Sequence, residues 1–169
     1  MKIIGIDPGF AIVGYGIVEY DGIKFRPISF GAITTKAGTE FSYRLQSIYN
    51  DINELFDRYK PDCVSIEKLY FNTNTTTAIE VAEARGVILL ASKNNDLPIF
   101  EYTPLQVKQA ITGYGKAEKR QVIEMVKSFL SFEKPPKPDD AADALALAIC
   151  HAHSSGNIFG KLSKGGKEL

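Results

Sequence analysis

Four acidic residues stand where a carboxylate could bind a metal ion. Asp7 ends an apolar run and is followed by a Pro-Gly pair, and Glu67 ends a second apolar run. Asp140 and Asp143 are three residues apart, which puts them on one face of a helix. Carboxylates suit hard divalent cations, and two such cations about 3.5–4 Å apart can activate a water and stabilise a leaving oxygen in phosphodiester hydrolysis. The four acids are therefore a candidate site for metal-dependent hydrolysis.

Two of these acids, Asp7 and Asp140, also have a purely structural explanation. Asp, Pro and Gly favour tight turns, so local sequence alone leaves Asp7 equally well explained as a hairpin residue. Asp139 and Asp140 fit a helix N-terminus, where acids favour the helix dipole. Asp143 differs, because its neighbours are small or apolar and no Lys or Arg occurs between Asp139 and His153. A buried carboxylate without a partner is costly, so we expect Asp143 to need a cation, and a shared metal is the simplest one.

The histidines and cysteines, which are the other candidate ligands, are not arranged to bind zinc. His151 and His153 lie about two to three helical turns beyond Asp143, and we expect them to be packing or surface residues. Cys63 and Cys150 do not stand in a paired ligand pattern, and they are expected to be reduced, buried thiols. A hard cation bound by carboxylate oxygens remains the better prediction.

Apolar periodicity predicts the elements that must position the acids. Strands are expected at 2–7, 11–20, 24–34, 63–67 and 97–102, and helices at 40–59, 75–93, 104–113, 117–131 and from 139 onward. This order predicts an α/β fold, a five-stranded mixed sheet flanked by helices. If the strands that end at Asp7 and Glu67 are parallel neighbours, both acids project from one sheet edge, where α/β sites commonly lie.

Two further patterns leave alternatives open. Gly9, Gly14 and Gly16 are frequent for a plain strand, and they indicate either a twisted edge or bulge, or close approach of the backbone to a ligand. The helix at 75–93 has more apolar residues than one narrow face can hold. It is therefore either well buried or carries a second apolar face for a partner subunit.

Composition restricts the class of protein without identifying it. A chain of 169 residues fits one domain and buries roughly 70% of its unfolded surface, enough for a core without a disulfide. Its net charge of zero is weak evidence against a nucleic-acid partner, although a local basic patch can still bind phosphates. Without a signal peptide or an apolar run that could span a bilayer, we expect no membrane association and a cytoplasmic location.

Residues 2–153 resemble the RuvC family of Holliday junction resolvases. The resemblance rests on six motifs, which stand here as Ile-Gly-Ile-Asp7-Pro-Gly, Ser-Ile-Glu67, Ala84-Arg85-Gly86, Gln106-Val-Lys108-Gln, Ala117-Glu118-Lys119 and Asp140-Ala-Ala-Asp143-Ala-Leu-Ala. It implies a ribonuclease H-like nuclease domain over 1–155, followed by a disordered tail at 156–169. The implied activity is magnesium-dependent nicking of two opposed strands of a four-way DNA junction by a homodimer.

The resemblance also implies which residues act. Asp7, Glu67, Asp140 and Asp143 match the metal-binding catalytic acids for two Mg²⁺ ions per subunit, for which Mn²⁺ can substitute. Some relatives carry His at the third of these positions, where this chain has Asp140. Residues expected to contact DNA are Lys108 and Lys119, which also serve catalysis, with Lys116, Arg120, Arg85, Tyr70 and Phe71. Either aromatic ring could stack on a junction base, and Lys116 and Arg120 could equally form a solvated helix face.

The same resemblance implies partners, and three rival functions stay open. The implied partners are four-way junction DNA, a second copy of the chain through the helix at 75–93, and branch-migration proteins of the RuvA and RuvB type. The first rival is a related nuclease that cuts RNA, or a transposase-type fragment. The second is a nucleotide-binding domain of the actin-like type, for which the chain is too short. The third is a junction-binding protein without catalysis.

Overall fold

The computed structural model of the chain describes residues 1–69 and 77–163. The elements in these ranges are β1 (Lys2–Asp7), β2 (Ile12–Tyr20), β3 (Phe25–Thr34), α1 (Phe41–Tyr59), β4 (Cys63–Glu67), α2 (Ala78–Asn94), β5 (Ile99–Tyr102), α3 (Pro104–Thr112), α4 (Lys119–Phe129) and α5 (Asp139–Ser163). The strands form one sheet in the order β3-β2-β1-β4-β5. The predicted five-stranded mixed α/β sheet is confirmed.

The sheet brings two of the predicted acids to the same edge. β1 pairs antiparallel with β2 and parallel with β4, with Ile6 opposite Ile66. Asp7 and Glu67 each follow by one residue, so they end neighbouring parallel strands at the carboxyl edge of the sheet. The predicted adjacency of these strand ends is therefore confirmed.

Strict alternation along β1 divides the core between the two faces of the sheet. Ile3 belongs to an apolar cluster with residues of α3, α4 and α5, whereas Ile4 and Ile6 belong to a second cluster with residues of α1 and α2. Successive side chains of a strand point to opposite faces, so Asp7 shares the face of Ile3 and Gly5, under α5.

Helix α5 lies unusually close to β1 and β2 because glycines face it. A Cβ atom added to Gly5 would lie 1.9 Å from the carbonyl oxygen of Ala144, and one on Gly14 would lie 2.1 Å from the carbonyl oxygen of Asp140. On Gly16 it would meet the side chain of Leu145 at 2.7 Å. Such distances exclude any side chain, so the glycines set the depth at which α5 is seated.

For Gly14 and Gly16, neither explanation offered from the sequence is correct. Gly14 and Gly16 lie in β2, which is an interior strand, and the register irregularity falls between Ile17 and Val18 instead. The element that approaches them closely is a helix of the same chain. Gly9 has a local reason, since a Cβ there would lie 2.0 Å from the carbonyl oxygen of Ile12.

A buried hydrogen bond also ties α5 to the sheet. The Ser65 hydroxyl on β4 donates to the carbonyl oxygen of Leu147 at 2.7 Å, and Ser65 is fully buried. Helix α5 continues to Ser163, beyond the predicted domain boundary at 155, and the expected domain division itself stays a prediction. Over residues 1–69 and 77–163, the helices lack the combined length and apolar character that a membrane span requires.

We predict that Gly5→Ala lowers the free energy of unfolding by about 2–3 kcal/mol or more, because the added methyl group collides with the backbone of α5. Thermal and urea unfolding of the variant and the parent would measure this difference. Ser47→Ala is the control. Ser47 is an exposed residue inside α1, so alanine there should change the free energy of unfolding by less than about 0.5 kcal/mol. Equal stability of Gly5→Ala and the parent would contradict the proposed close contact.

Candidate active site

The carboxyl groups of Asp7 and Glu67 are in hydrogen-bonding contact at the sheet edge. Burial, with the negative charges of Glu67, Asp143 and Asp140, raises the pKa of Asp7 to about 8. Burial also raises the pKa of Glu67, and the Asp143 charge acts in the same direction, whereas the bond with Asp7 and the charge of Lys119 lower it. Two neighbouring carboxyl groups that cannot both ionise easily indicate that several acidic groups are crowded together in this part of the structure.

Helix α5 supplies the other two acids from its first turns. Asp140 and Asp143 act on Asp7 through their charges, so all four predicted acids lie together although they come from three different elements. The seating of α5 on Gly14 brings this about, because the closest contact there is with the backbone of Asp140 itself.

Asp143 has a cationic partner, contrary to the expectation from its own helix. Lys119 Nζ on α4 donates to Asp143 Oδ2 at 2.8 Å. The Asp143 side chain is 33% exposed, so it is neither fully buried nor unpaired. The hydrogen bond with Asp143, and the charges of Asp143, Asp139 and Asp7, raise the pKa of Lys119 against the opposing effect of its partial burial. Asp143 was expected to be buried and to need a cation. The expected burial is wrong, and α4 supplies a cation that the residues of α5 alone could not indicate.

The beginning of α4 holds Lys119 in place. Lys119 is the first residue of that helix, and Glu118 before it is the N-cap. The backbone N–H of Glu118 donates to Oε1 of Gln121 at 2.8 Å, which closes the first turn. The backbone of Lys119 is therefore fixed, whereas its long side chain, 54% exposed, can reorient.

The donor chemistry of this cluster fits a hard divalent cation. Four carboxylates provide only oxygen ligands, which Mg²⁺ and Mn²⁺ prefer. In the described part of the chain, no three acidic, His or Cys side chains converge on a single point at metal-binding geometry. Asp143 is turned toward Lys119 instead of toward a common centre with the other acids.

Beside the acids lies a cleft with a volume of about 250 Å³. Glu67 and Asp143 form its acidic part, and Lys108 from α3 and Lys119 from α4 supply positive charge to its wall. The remaining lining is Pro104, Val107, Val122, Ala146 and Leu147. A cleft that holds both acids and lysines can bind a cation and an anionic substrate at once.

Lys108 lies on α3, and this helix begins where the sequence predicted. Its N-cap Thr103 accepts from the backbone N–H of Gln106 at 3.1 Å, and the Gln106 side chain accepts in return from the backbone N–H of Thr103 at 2.8 Å. Pro104 occupies the first helical position.

The other residues predicted to contact DNA are placed differently. Arg85 on α2 donates to the backbone carbonyl of Glu67 at 3.1 Å and to Glu101 on β5 at 2.6 Å, and only 14% of its side chain is exposed. Arg85 therefore braces the end of β4, and its contact with DNA stays a prediction. Lys116 and Arg120 are exposed. Tyr70 and Phe71 lie outside the described residues.

Arg44 is a supporting residue that the sequence did not single out. Its guanidinium lies 3.5 Å from the centre of the Phe10 ring, and its Nε donates to Thr35 Oγ1 at 2.8 Å. Thr35 Oγ1 in turn donates to the carbonyl oxygen of Phe10 at 2.9 Å. These contacts hold the turn that follows Asp7. They join α1 to the residue after β3 and to the turn after β1, so no local pattern could have indicated them.

The two histidines are packing residues, as expected. His151 is buried, shares a hydrogen bond of 2.7 Å with the Tyr102 hydroxyl, and stacks on Phe100 with ring centres 4.1 Å apart. Burial lowers the pKa of His151. His153 Nδ1 lies 3.1 Å from the carbonyl oxygen of Ala110. Both rings are engaged within the fold.

Comparison with known proteins gives a consistent result. The family model described as crossover junction endodeoxyribonuclease RuvC matches residues 3–151. A curated RuvC from Alkaliphilus metalliredigens is 58% identical over 154 residues, which cover 91% of this chain and 94% of the relative. The solved structure of Thermus thermophilus RuvC superposes with a TM-score of 0.85 at 34% identity, covering 92% of this chain and 95% of that one.

A second solved structure is T. thermophilus RuvC in complex with a Holliday junction substrate. It has a TM-score of 0.84 and 31% identity, and it covers 92% of this chain and 95% of that chain. These matches extend over nearly the whole sequence and agree with the ribonuclease H-like arrangement of the sheet. The chain belongs to the RuvC family of crossover junction endodeoxyribonucleases.

Proposed function

We propose that this protein resolves four-way DNA junctions by hydrolysing one phosphodiester bond in each of two opposed strands. The observation that carries this proposal is the cleft lined by Glu67 of the sheet edge, Asp143 of α5 and the lysines of α3 and α4, beside the carboxylate of Asp7. The family relationship supports it, since a relative has been solved with a Holliday junction substrate. The family relationship also disfavours the three alternatives: an RNA-cutting nuclease, a nucleotide-binding domain and a junction-binding protein without catalysis.

The four acids would hold two Mg²⁺ ions, for which Mn²⁺ can substitute. Bound metal would supply activation of a water and neutralisation of charge on the scissile phosphate. Asp7 and Glu67 provide oxygen ligands from the sheet, and Asp140 and Asp143 provide them from α5. Because the three elements are packed against one another, the backbone positions of the four ligands are fixed before substrate arrives, and only their side chains need to turn.

Basic and aromatic residues around the cleft would position the DNA. Lys108 and Lys119 line the cleft and would contact the phosphate and the charge that develops on it. The exposed Lys116 and Arg120 extend this basic surface. Either Tyr70 or Phe71 would stack on a base at the junction, a contact worth about 1–3 kcal/mol.

The substrate's two-fold symmetry calls for a homodimer, and α2 has the surface for it. Ile79 and Leu90 on that helix are 65% and 56% exposed, and a second copy packed against them would remove this apolar surface from water. We further propose that the dimer works in the cytoplasm with branch-migration proteins of the RuvA and RuvB type.

We expect Asp7→Asn to reduce cleavage of a synthetic four-way junction by more than about 100-fold, because a ligand carboxylate is lost. Junction affinity should stay within about threefold, because the basic residues are unchanged. Gel-based cleavage in Mg²⁺ and gel-shift binding in Ca²⁺ would measure the two quantities. Linear duplex DNA and an RNA duplex test the choice of substrate.

The control for this experiment is Asp57→Asn. Asp57 is an exposed acid on α1, paired with Lys60 and remote from the sheet edge, so its loss should leave cleavage unchanged. Cleavage by Asp7→Asn at the parent's rate would rule out the carboxylate cluster as the catalytic centre.

Asp7 should also make stability depend on pH. Its pKa rises from an ordinary 3.8 to about 8, so the folded protein retains a proton that the unfolded chain releases between these values. The stabilisation from Asp7 is complete below about pH 4 and is lost as pH rises through 8.

We therefore predict that, in EDTA, the melting temperature of Asp7→Asn minus that of the parent increases from pH 5 to pH 8. A rise of several degrees is expected, since about 1 kcal/mol shifts a domain of this size by roughly 2–4 °C. Differential scanning calorimetry of both proteins would measure it, and the effects of groups that do not interact with Asp7 cancel in the difference. Added Mg²⁺ should narrow the gap at pH 8 by stabilising the parent. A pH-independent difference would contradict the placement of Asp7.

A further inference from the structure

Lys119 is the cation that the carboxylate cluster already contains. Its ammonium bonds Asp143 Oδ2 at 2.8 Å, and its charge also acts on Glu67, Asp7 and Asp139. Asp139 has a nearer partner of its own in Lys137, at 2.7 Å. Lys119 therefore makes its direct bond to Asp143, which is proposed above as a metal ligand.

We propose that Lys119 and the divalent cation compete for Asp143, so that metal binding releases the Lys119 ammonium toward the substrate phosphate. This inference rests on the metal centre proposed above. It gives one lysine two successive partners: a carboxylate before the metal binds and a phosphate afterwards.

Competition follows from the charges. An ammonium and a divalent cation are both positive, and each binds a carboxylate most strongly at the same oxygen lone pairs. Asp143 Oδ2 is occupied by Lys119, so the metal must either displace the ammonium or bind the remaining oxygen while a second positive charge sits on the same carboxylate and repels it. Lys119 therefore weakens metal binding while it shields the acids from one another.

The surroundings of Lys119 permit the exchange. The helix cap fixes its backbone, and the side chain is 54% exposed on a flexible four-carbon stem, so the ammonium can move without disturbing α4. The same side chain lines the cleft beside Lys108. Among the described residues Lys108 makes no ion pair, so Lys108 is available to phosphate from the start and Lys119 only after the metal has bound.

Mn²⁺ binding tests this proposal without reference to cleavage. The EDTA-treated and dialysed protein is titrated with Mn²⁺, and the free ion is followed by electron paramagnetic resonance. Lys119→Gln should bind Mn²⁺ about three- to tenfold more tightly than the parent, because a competing partner and a nearby positive charge are both removed. Its cleavage of a junction should fall nonetheless, because the phosphate contact is lost.

Two control variants separate competition from a general effect of charge. Lys119→Arg keeps a cation on the same residue, and its guanidinium can pair with both oxygens of Asp143, so it should bind Mn²⁺ no more tightly than the parent. Lys127→Gln removes a lysine from the same helix about 12 Å further along the axis, and it should match the parent. Thermal unfolding of each variant verifies that it is folded.

The possible results distinguish this inference from the proposed function. Equal or weaker Mn²⁺ binding by Lys119→Gln, with clear binding by the parent, would overturn the competition and leave the metal centre intact. Tighter binding by Lys127→Gln to the same degree would also overturn it, because the effect would then be unspecific. No Mn²⁺ binding by the folded parent would overturn the metal centre and this inference together.

Discussion

The contact on which the rest of the structure depends is the close seating of α5 on β1 and β2. Gly5, Gly14 and Gly16 leave no room for a side chain between the sheet and the helix backbone. Small residues on the helix side, including Ala144, complete the contact. Because the backbones themselves touch, the helix can neither slide nor rise by the width of a methyl group without a clash. Its first turns are thereby held beside the carboxyl end of β1.

This seating determines the electrostatics of the site. Without it, Asp140 and Asp143 would be ordinary acids at a helix start, stabilised by the helix dipole. Pressed against Asp7 and Glu67, they form a concentration of negative charge that raises the pKa of Asp7. The repulsion between these acids is confined to one edge of the sheet, and such clustering is typical of sites that bind cations. Rigid packing elsewhere supplies the stability that the acids remove.

Positive residues support the site in two different ways. Arg85 and Arg44 brace the strand ends that carry Glu67 and Asp7, through backbone carbonyls and a ring, so they act as fixed supports. Lys119 pairs with Asp143 directly and remains partly exposed. The two arginines maintain geometry, whereas the lysine is placed to exchange partners during the reaction. The distinction follows from burial, since only an exposed side chain can move without unpacking its surroundings.

Much of this arrangement could be predicted from the sequence alone, because it depends on local patterns. Alternation and helical periodicity located the elements, and the placement of acids at the ends of two apolar strands identified Asp7 and Glu67. The family motifs added the fold and the full set of four acids. These features are encoded within short segments, where side-chain spacing and backbone geometry are directly related.

The tertiary structure alone decided the contacts between distant segments. Lys119 and Asp143 are 24 residues apart, so examination of α5 suggested a metal as the partner of Asp143 and could not indicate this ion pair. The glycines of β2 suggested a bulge or a ligand, and the structure shows that they accommodate a helix more than 120 residues away. Arg85 suggested a contact with DNA and is found bonded to β4 and β5. The type of a side chain determines which partners it can bind, but only the packing of the chain determines which of those partners lies close enough to contact it.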